Sequence, residues 1–265
     1  MTSALTPGTT ALVTGASSGI GEQLARQLAA RSVNVVLAAR NEGRLEALAD
    51  ELRRAHPGVS ATVMAADLSA AGSAQDLVSG LERAGTGIDL LVNNAGVGSH
   101  GRFVDEDPDA VTRQIQLNCT SLVALTSALL PPMITRGRGG VINVASTAAF
   151  QPIPTMAVYA ASKAFVLSFS EALWAETNTT GIRVLALCPG PTDTRFFETA
   201  APGKQFLTRS RQSPEQVAAV ALRAFETGKG PSVIPGTVNR VLANGYRLLP
   251  RTVMARMAER NVRSD

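Results

Sequence analysis

The chain has little of what secreted, disulfide-stabilised or metal-binding proteins depend on. Its two cysteines, Cys119 and Cys188, lie 69 positions apart in apolar surroundings and show no metal-ligand spacing. We therefore expect two reduced, buried thiols and no metal site. Residues 1–8 contain no basic residue and no apolar signal core, so secretion is not indicated and a cytoplasmic location is expected.

Long hydrophobic runs are also absent. The longest apolar stretch, residues 122–130, includes Thr126 and Ser127 and is shorter than the roughly 18 residues that cross a bilayer. We expect no transmembrane segment. Charged residues make up only 17% of the chain and hydrophobic residues 45%, a balance typical of strands that are covered on both faces.

The pI of about 9.6 raises the question of nucleic-acid binding. From Thr237 onward the chain has six arginines and two acidic residues, a surplus of four that equals the formal net charge of +4. The rest of the chain is electrically balanced. Nucleic-acid binding would need a basic patch on the body or a groove with interleaved aromatic residues, and the sequence contains neither. We expect no nucleic-acid partner.

Apolar runs alternate with helical patterns along the whole chain, which indicates repeated βαβ units. The predicted strands are 10–14, 33–39, 60–65, 90–92, 141–145, 184–187 and 232–234, and the predicted helices are 19–30, 42–55, 74–84, 109–134, 156–178 and 214–226. The fold class is therefore α/β, a Rossmann-type doubly wound sheet of about seven parallel strands with helices on both faces. No linker or repeat divides residues 1–265, so a single domain is expected.

A glycine-rich segment connects the first strand to the first helix. Residues 14–21 have the sequence TGASSGIG. Gly15 permits a tight turn, Gly19 lets backbone N–H groups approach a pyrophosphate, and Gly21 lets the helix pack closely on the strand. An ordinary βα connection can also contain such glycines, but the position after the first strand favours a dinucleotide site.

The end of the second strand indicates which dinucleotide is bound. NAD-binding folds commonly place a carboxylate there, whereas the 2′-phosphate of NADP requires a cation. This strand ends in Ala38-Ala39-Arg40-Asn41, without an acidic residue. The pattern favours NADP(H) over NAD(H), with Arg40 on the phosphate. The alternative is that Arg40 is a solvated loop residue.

Tyr159 and Lys163 stand four residues apart in a predicted helix and therefore lie on one face of it. A phenol has a pKa of about 10 and is a poor base at neutral pH. A neighbouring ammonium group would lower the pKa of the phenol. Ser146, at the end of a predicted strand, can donate a second hydrogen bond to the same substrate oxygen. Taken alone, the Tyr and Lys residues are also compatible with an ordinary surface pair.

Together these motifs resemble those of the short-chain dehydrogenase/reductase family, from Thr10 to about Pro235. The matching residues, all in the family's order and spacing, are Thr14 to Gly21, Asp67-Leu68, Asn93 to Gly96, Asn118, Ser146, Tyr159, Lys163 and Pro189 to Thr192. Each motif is modestly specific by itself. Their joint occurrence in register is highly specific.

The resemblance implies a catalytic set of Asn118, Ser146, Tyr159 and Lys163. Tyr159 would be the general acid/base, Ser146 would orient the substrate oxygen, and Lys163 would bind the nicotinamide ribose. Asn118 would hold a water molecule that relays protons between Lys163 and solvent. The alternative is a purely structural role, in which Asn118 only kinks a long helix.

The resemblance also implies a set of cofactor-binding residues. Asp67 would bind the adenine amino group, and Gly190 with Thr192 and Thr194 would contact the nicotinamide half. The full set is Gly15, Ser17, Ser18, Gly19, Ile20, Gly21, Arg40, Asn41, Asp67, Leu68, Asn94, Ala95, Gly96, Tyr159, Lys163, Pro189, Gly190, Thr192 and Thr194. Alternatively, Asp67 caps the segment that follows it and Asn93 satisfies backbone groups in a turn.

Two segments bear on the substrate. The irregular lid loop, residues 189–213, follows a strand end and contains Phe196, Phe197, Phe206 and Leu207. The segment after Ser146 adds Phe150, Pro152, Ile153 and Pro154. Such walls favour an apolar carbonyl or alcohol substrate, although these residues could equally belong to the core.

The C-terminal tail, residues 236–265, is basic and amphipathic, with apolar stripes that include Val238, Val241 and Leu242. We expect it to pack on the sheet or on a partner subunit, and peripheral contact with anionic lipid is the alternative. The family resemblance implies a homodimer or homotetramer formed through the helices that contain Asn118 and Tyr159.

Two other functions share this fold. A non-catalytic dinucleotide sensor would not need Asn118, Ser146, Tyr159 and Lys163 together, so their presence argues against it. An epimerase or dehydratase that uses the same cofactor stays open at this point. The sequence thus favours an NADP(H)-dependent oxidoreductase that transfers hydride between nicotinamide and a carbonyl or alcohol.

Overall fold

The computed structural model describes residues 5–196, 211–245 and 252–253. Their centre is a seven-stranded parallel sheet with the order β3-β2-β1-β4-β5-β6-β7. The strands are β1 (Thr10–Thr14), β2 (Asn34–Ala39), β3 (Ala61–Ala65), β4 (Leu90–Asn93), β5 (Gly139–Val144), β6 (Ile182–Leu187) and β7 (Ser232–Val233). The predicted doubly wound Rossmann-type sheet is confirmed.

Helices cover both faces of this sheet. They are α1 (Gly19–Ala29), α2 (Glu42–Ala55), α3 (Ser73–Arg83), α4 (Pro108–Ile115), α5 (Ser121–Arg136), α6 (Ala157–Thr177), α7 (Pro214–Thr227) and α8 (Thr237–Gly245). One apolar cluster joins the sheet to α1, α2 and α7, and another joins it to α3, α5 and α6. Because both faces are covered, the side chains of the inner strands β1, β2, β4, β5 and β6 are mostly buried, as the apolar composition indicated, whereas those of the edge strands β3 and β7 are mostly not.

The strand order reverses direction at β1, which pairs with β2 on one side and with β4 on the other. The connections after β1 and β4 therefore leave the sheet on opposite sides and open a crevice between them. In open α/β sheets, ligands bind in this crevice at the carboxyl ends of the strands. The predicted catalytic and cofactor-binding motifs all follow these strand ends.

The predicted helix over 109–134 is continuous but not regular. A π-helical turn, Gln116–Thr120, separates α4 from α5 and carries Asn118. The combined helix, Pro108–Arg136, has the length and the apolar composition of a membrane span, although the longest unbroken apolar run in it is short. Its side chains Leu125, Leu129 and Met133 are buried against the sheet, which explains the apolar character as that of a core-covering helix.

Both cysteines are free. Cys188 is buried at the end of β6, whereas Cys119 is only half-buried in the π-helical turn. Burial raises the pKa of both thiols, that of Cys188 to about 12. The thiols therefore stay protonated at neutral pH and behave as the reduced, mostly apolar groups that the sequence predicted.

Candidate active site

A single cavity of about 950 Å³ runs along the carboxyl ends of the strands. It brings together almost all of the predicted site residues, and only Gly21 and Asn118, both buried, do not line it. The predicted residues that line it are Gly15, Ser17, Ser18, Gly19, Ile20, Arg40, Asn41, Asp67, Leu68, Asn94, Ala95, Gly96, Ser146, Tyr159, Lys163, Pro189, Gly190, Thr192 and Thr194.

The glycine-rich turn is held by Asn94, which follows the neighbouring strand β4 but lies 80 residues further along the chain than Thr14. Gly15 and Gly19 adopt φ angles of +65° and +60°, in the left-handed region where side chains are strained. The amide nitrogen of Asn94 donates to the carbonyls of Thr14 at 2.9 Å and Gly15 at 3.2 Å. A Cβ at Gly21 would collide with this amide, so the close packing predicted for Gly21 is packing against Asn94. Asn94 thus holds the turn as well as lining the cavity.

The part of the cavity next to the ends of β2 and β3 is lined by Arg40, Asn41 and Asp67, the residues predicted to face the adenosine half of a dinucleotide. Asn41 also caps α2, since its side chain accepts from the N–H of Arg44 at 3.0 Å. Asp67 accepts from the N–H and the hydroxyl of Ser69. These bonds, with a smaller effect from nearby Arg40, lower the pKa of Asp67. The turn-capping role weighed for Asp67 is therefore present, and it leaves a charged carboxylate in the cavity wall.

Helix α6 places the side chains of Tyr159 and Lys163 in the wall of the cavity, as predicted. Lys163 is only 5% exposed, and its Nζ donates to the carbonyl of Val144 at 2.7 Å. Burial lowers the pKa of Lys163 to about 8. The Nζ atom lies 5.9 Å from the centroid of the Tyr159 ring.

The pKa of Tyr159 moves in the direction opposite to the prediction. Burial raises it to about 12, and the hydrogen bond with Ser146 opposes this rise only in part. The prediction rested on the effect of the Lys163 ammonium on the pKa of Tyr159 and did not include the loss of solvation on burial. In the structure, removing the phenolate from water has a larger effect on the pKa than the hydrogen bond with Ser146.

Ser146 lies directly after β5 and has its hydroxyl fixed from two sides. Its Oγ accepts from the N–H of Ala148 at 3.1 Å and is hydrogen-bonded to Tyr159. The extended backbone of Ser146 begins the short 3₁₀ turn Thr147–Phe150. The two hydroxyls therefore meet at one place in the cavity, where both can reach the same substrate oxygen.

Asn118 lies behind the cavity wall and pairs with the backbone of Val97. Its Oδ1 accepts from Val97 N at 3.0 Å, and its Nδ2 donates to Val97 O at 2.8 Å and to Ser162 Oγ at 3.0 Å. The π-helical turn orients the side chain for these bonds, as π-bulges often do at functional sites. Asn118 is thus more than a kink in a helix, and its predicted part in a proton relay stays a prediction.

The aromatic ring of Phe196, in the lid loop, packs against the ring of Tyr159. The centroid of Phe196 is 5.1 Å from that of Tyr159, with an interplanar angle of 44°. A Cβ at Gly98 would lie 2.6 Å from Phe196 Cζ and 3.2 Å from Tyr159 Cδ2, so glycine at this position makes room for the contact. The predicted lid residues Phe197, Phe206 and Leu207 lie outside the described residues.

Helix α8 is a wall of the cavity that the sequence did not identify as such. Val238, Asn239 and Leu242 line the cavity, while Ala243 anchors the helix in the core. The stripe of Val238, Val241 and Leu242 was visible in the sequence as a property of the tail. Val238 and Leu242 line the same cavity as Tyr159 because of contacts between segments far apart in the chain, which no local sequence pattern indicates.

The family model described as short chain dehydrogenase matches residues 9–205. A short chain dehydrogenase of Pseudocercospora fijiensis (strain CIRAD86) is 39% identical over 206 residues, which cover 77% of this chain but only 65% of that protein. The solved short-chain dehydrogenase from Sphingobium yanoikuyae in complex with NADPH is 34% identical, with a TM-score of 0.81 over 91% of this chain and 94% of the other.

A second solved structure is the bulky-bulky ketone specific alcohol dehydrogenase from Comamonas testosteroni. It is 31% identical, with a TM-score of 0.78 over 92% of this chain and 93% of that one. The family match extends well beyond the glycine-rich turn and includes Ser146 and the helix that carries Tyr159. The chain therefore belongs to the short chain dehydrogenase family of oxidoreductases.

Proposed function

We propose that this oxidoreductase uses NADP(H) and interconverts an apolar carbonyl compound and the corresponding alcohol, with Tyr159 as the proton donor and acceptor. One observation carries the proposal. A single cavity is lined at one end by the glycine-rich turn and Arg40 and at the other by Ser146, Tyr159 and Lys163. A dinucleotide bound along this cavity would span from the cation to the acid/base group.

The residues of the cavity fit a dinucleotide. Gly15 lies in the turn before α1 and Gly19 begins the helix, so neither adds a side chain where a pyrophosphate would approach the N–H groups of the first helical turn. Arg40 supplies a cation at the adenosine end, where β2 ends without a carboxylate. Lys163 supplies a buried ammonium group at the other end.

The raised pKa of Tyr159 suits the reduction of a carbonyl. A nicotinamide dinucleotide held along this cavity would supply the hydride for the carbonyl carbon in reduction, or receive it from the alcohol carbon in oxidation. At neutral pH the phenol is protonated, so Tyr159 can donate its proton to the substrate oxygen as negative charge develops there. Ser146 hydrogen-bonds the same oxygen and polarises the carbonyl. In the reverse direction Tyr159 takes the proton back.

The choice of NADP(H) has two supports. Arg40 can form charge-assisted hydrogen bonds with a 2′-phosphate, and the Sphingobium yanoikuyae enzyme was solved with NADPH. Asp67, an acidic residue in the cavity wall, is bonded to Ser69 in its own turn. The site therefore favours a phosphate over a free ribose hydroxyl.

Titration of nicotinamide fluorescence tests the cofactor. We expect the wild-type protein to bind NADPH more tightly than NADH. Arg40→Ala removes the phosphate contact and should weaken NADPH binding by about ten- to a hundredfold while NADH changes little. Arg44→Ala, an exposed arginine one helical turn away that does not line the cavity, is the matched control. NADH binding as tight as NADPH binding in the wild type would refute the proposal.

Apolar side chains form much of the cavity wall. Ile153, Met156, Phe196, Val238 and Leu242 line it, beside polar groups such as Gln151 and Arg195. A similar enzyme, that from Comamonas testosteroni, is specific for bulky-bulky ketones. We propose an apolar carbonyl or alcohol substrate on these grounds. A panel of apolar and polar aldehydes, ketones and alcohols, assayed with NADPH and NADP⁺, tests this, and a preference for charged or sugar-like compounds would contradict it.

A further inference from the structure

Asn239, in the first turn of α8, joins three segments that surround the cavity. Its Nδ2 donates to the carbonyl of Pro235 at 3.0 Å and to Oε1 of Gln212 at 3.2 Å. A backbone carbonyl can only accept, so the bond to Pro235 identifies which atom of the amide is the nitrogen. The same side chain lies against Gly190, in the segment after β6.

Gln212 closes the base of the lid loop. Its N–H donates to the carbonyl of Pro191 at 3.0 Å, and its carbonyl accepts from the N–H of Asp193 at 2.9 Å. Thr192 pairs with Gln212 in a parallel bridge. The two ends of the lid loop are therefore joined by backbone bonds, and the bond from Asn239 braces the side chain of Gln212 from the side of α8.

Two glycines make room for this pair of amides. A Cβ at Gly190 would lie 2.6 Å from Asn239 Cγ and 2.7 Å from Asn239 Oδ1. Gly236 has a φ of +85°, and its Cβ would lie 3.0 Å from Nε2 of Gln212. At both positions the added Cβ would lie closer to its neighbours than ordinary van der Waals contact allows. Gly190 thus has a reason to be glycine that comes from this protein's own C-terminal helix.

We propose that Asn239 is a positioning residue of the cofactor cavity. It holds the loop 189–193 and the base of the lid loop in the conformation that receives the nicotinamide half of the cofactor. The inference rests on the proposed function. Ser146 follows β5, Tyr159 and Lys163 belong to α6, and none of the three has a bond to Asn239 among the described residues, so Asn239 affects binding rather than the chemical step.

The first test compares two asparagines of the same helix. Asn244 makes the same kind of bond as Asn239, from Nδ2 to the carbonyl four residues earlier, at 2.9 Å, but it is exposed and does not line the cavity. We expect Asn239→Ala to raise the Kd for NADPH and the KM for the substrate about five- to tenfold, with kcat within about twofold of wild type. Asn244→Ala should leave all three constants unchanged.

The second test uses Gly190. Gly190→Ala places a methyl group against the amide of Asn239, and we expect it to weaken NADPH binding by more than about tenfold. The double variant Gly190→Ala/Asn239→Ala has room for the methyl group and should bind NADPH better than Gly190→Ala alone. Strictly additive losses would show that the methyl group is rejected by something other than Asn239, and would overturn the proposal.

Folding and the proposed function are separated by further measurements. Circular dichroism and thermal unfolding establish that each variant is folded, and Gln212→Ala, which leaves Asn239 intact, is the substitute if Asn239→Ala does not fold. A wild-type protein that fails to bind NADPH refutes the proposed function itself. If the wild type binds NADPH and Asn239→Ala and Asn244→Ala both bind it equally well, only the positioning role is refuted. A kcat that falls more than about tenfold at unchanged KM would also refute that role.

Discussion

At Tyr159 the local environment decides which protonation state the enzyme carries. The ring is enclosed by α6, by Gly98 and by Phe196, and the phenol is hydrogen-bonded to Ser146. Enclosure raises the pKa of the phenol to about 12, while burial lowers the pKa of Lys163 to about 8. At neutral pH the site therefore holds a protonated phenol beside a charged but easily deprotonated amine.

These two shifts predict a pH dependence with a definite sign. In the proposed mechanism, carbonyl reduction uses the phenol proton and the ammonium of Lys163, and both are present below pH 8. As the pH rises through about 8, Lys163 loses its proton first, so kcat/KM for reduction should fall. Oxidation of the alcohol needs Tyr159 as the acceptor, and its rate should rise with pH because the phenolate fraction grows.

Initial rates in both directions from pH 6 to 10 provide the measurement. Tyr159→Phe keeps the ring and removes the transferable proton, so it should bind NADPH like wild type and lose turnover by roughly a hundred- to ten-thousandfold at every pH. A Phe variant that retained turnover would contradict the acid/base role. Reduction that increased above pH 8 would contradict the assignment of the amine.

At the level of secondary structure, a row of buried amides connects two central strands to two helices. Asn93 on β4 lies opposite Asn143 on β5 and donates to Asn143 Oδ1 at 2.9 Å and to Thr126 Oγ1 of α5 at 3.1 Å. Asn143 Nδ2 donates in turn to Ser170 Oγ of α6 at 2.9 Å. Because all of these side chains are buried, each bond also satisfies a group that water cannot reach.

We expect Asn143→Leu to destabilise the fold by roughly 1–3 kcal/mol, because it leaves the amide nitrogen of Asn93 with one partner fewer and removes a donor from Ser170. Urea denaturation measures the loss. The double variant Asn143→Leu/Ser170→Ala removes one of the orphaned groups and should recover part of it. If Asn143→Leu and wild type had the same free energy of unfolding, the row of buried amides would make no net contribution to stability.

The elements differ in how far the sequence alone could predict them. The strands, α2 and the glycine-rich turn follow from local periodicity and local residue types, and their predicted bounds agree with the structure to within about two residues in most cases. The pairing of Asn94 with the glycine turn, the π-helical turn at Asn118 and the place of α8 beside the cavity depend on contacts between segments far apart in the chain. No local pattern reports such contacts. The wrong direction for the pKa of Tyr159 has the same origin, since burial is a property of the packed molecule.

On the scale of the whole molecule, apolar side chains remain exposed on helices α4 and α6. Ile115 at the end of α4 is 45% exposed, and Phe165 on α6 is 43% exposed and stacks on Phe169 with centroids 6.0 Å apart. Helices α4 and α6 contact each other. We propose that these helices form the interface of a homodimer or homotetramer, as the family resemblance implied.

Size-exclusion chromatography with light scattering tests this assembly. Phe165→Glu would place a charge in the proposed interface, and we expect a shift of the particle towards the monomer mass. Phe103→Glu is the matched control, because Phe103 is 62% exposed but belongs to the 3₁₀ turn that precedes α4. A wild-type protein that is monomeric at micromolar concentration, or a Phe165→Glu variant with unchanged mass, would contradict the proposed interface.

The backbone bonds between residues 191–193 and Gln212 have a further consequence. They hold the two ends of the lid loop close together through bonds that the described residues make themselves. The entropy of closing such a loop grows only slowly with its length. We therefore expect insertions between these two ends to lower the free energy of unfolding only slightly.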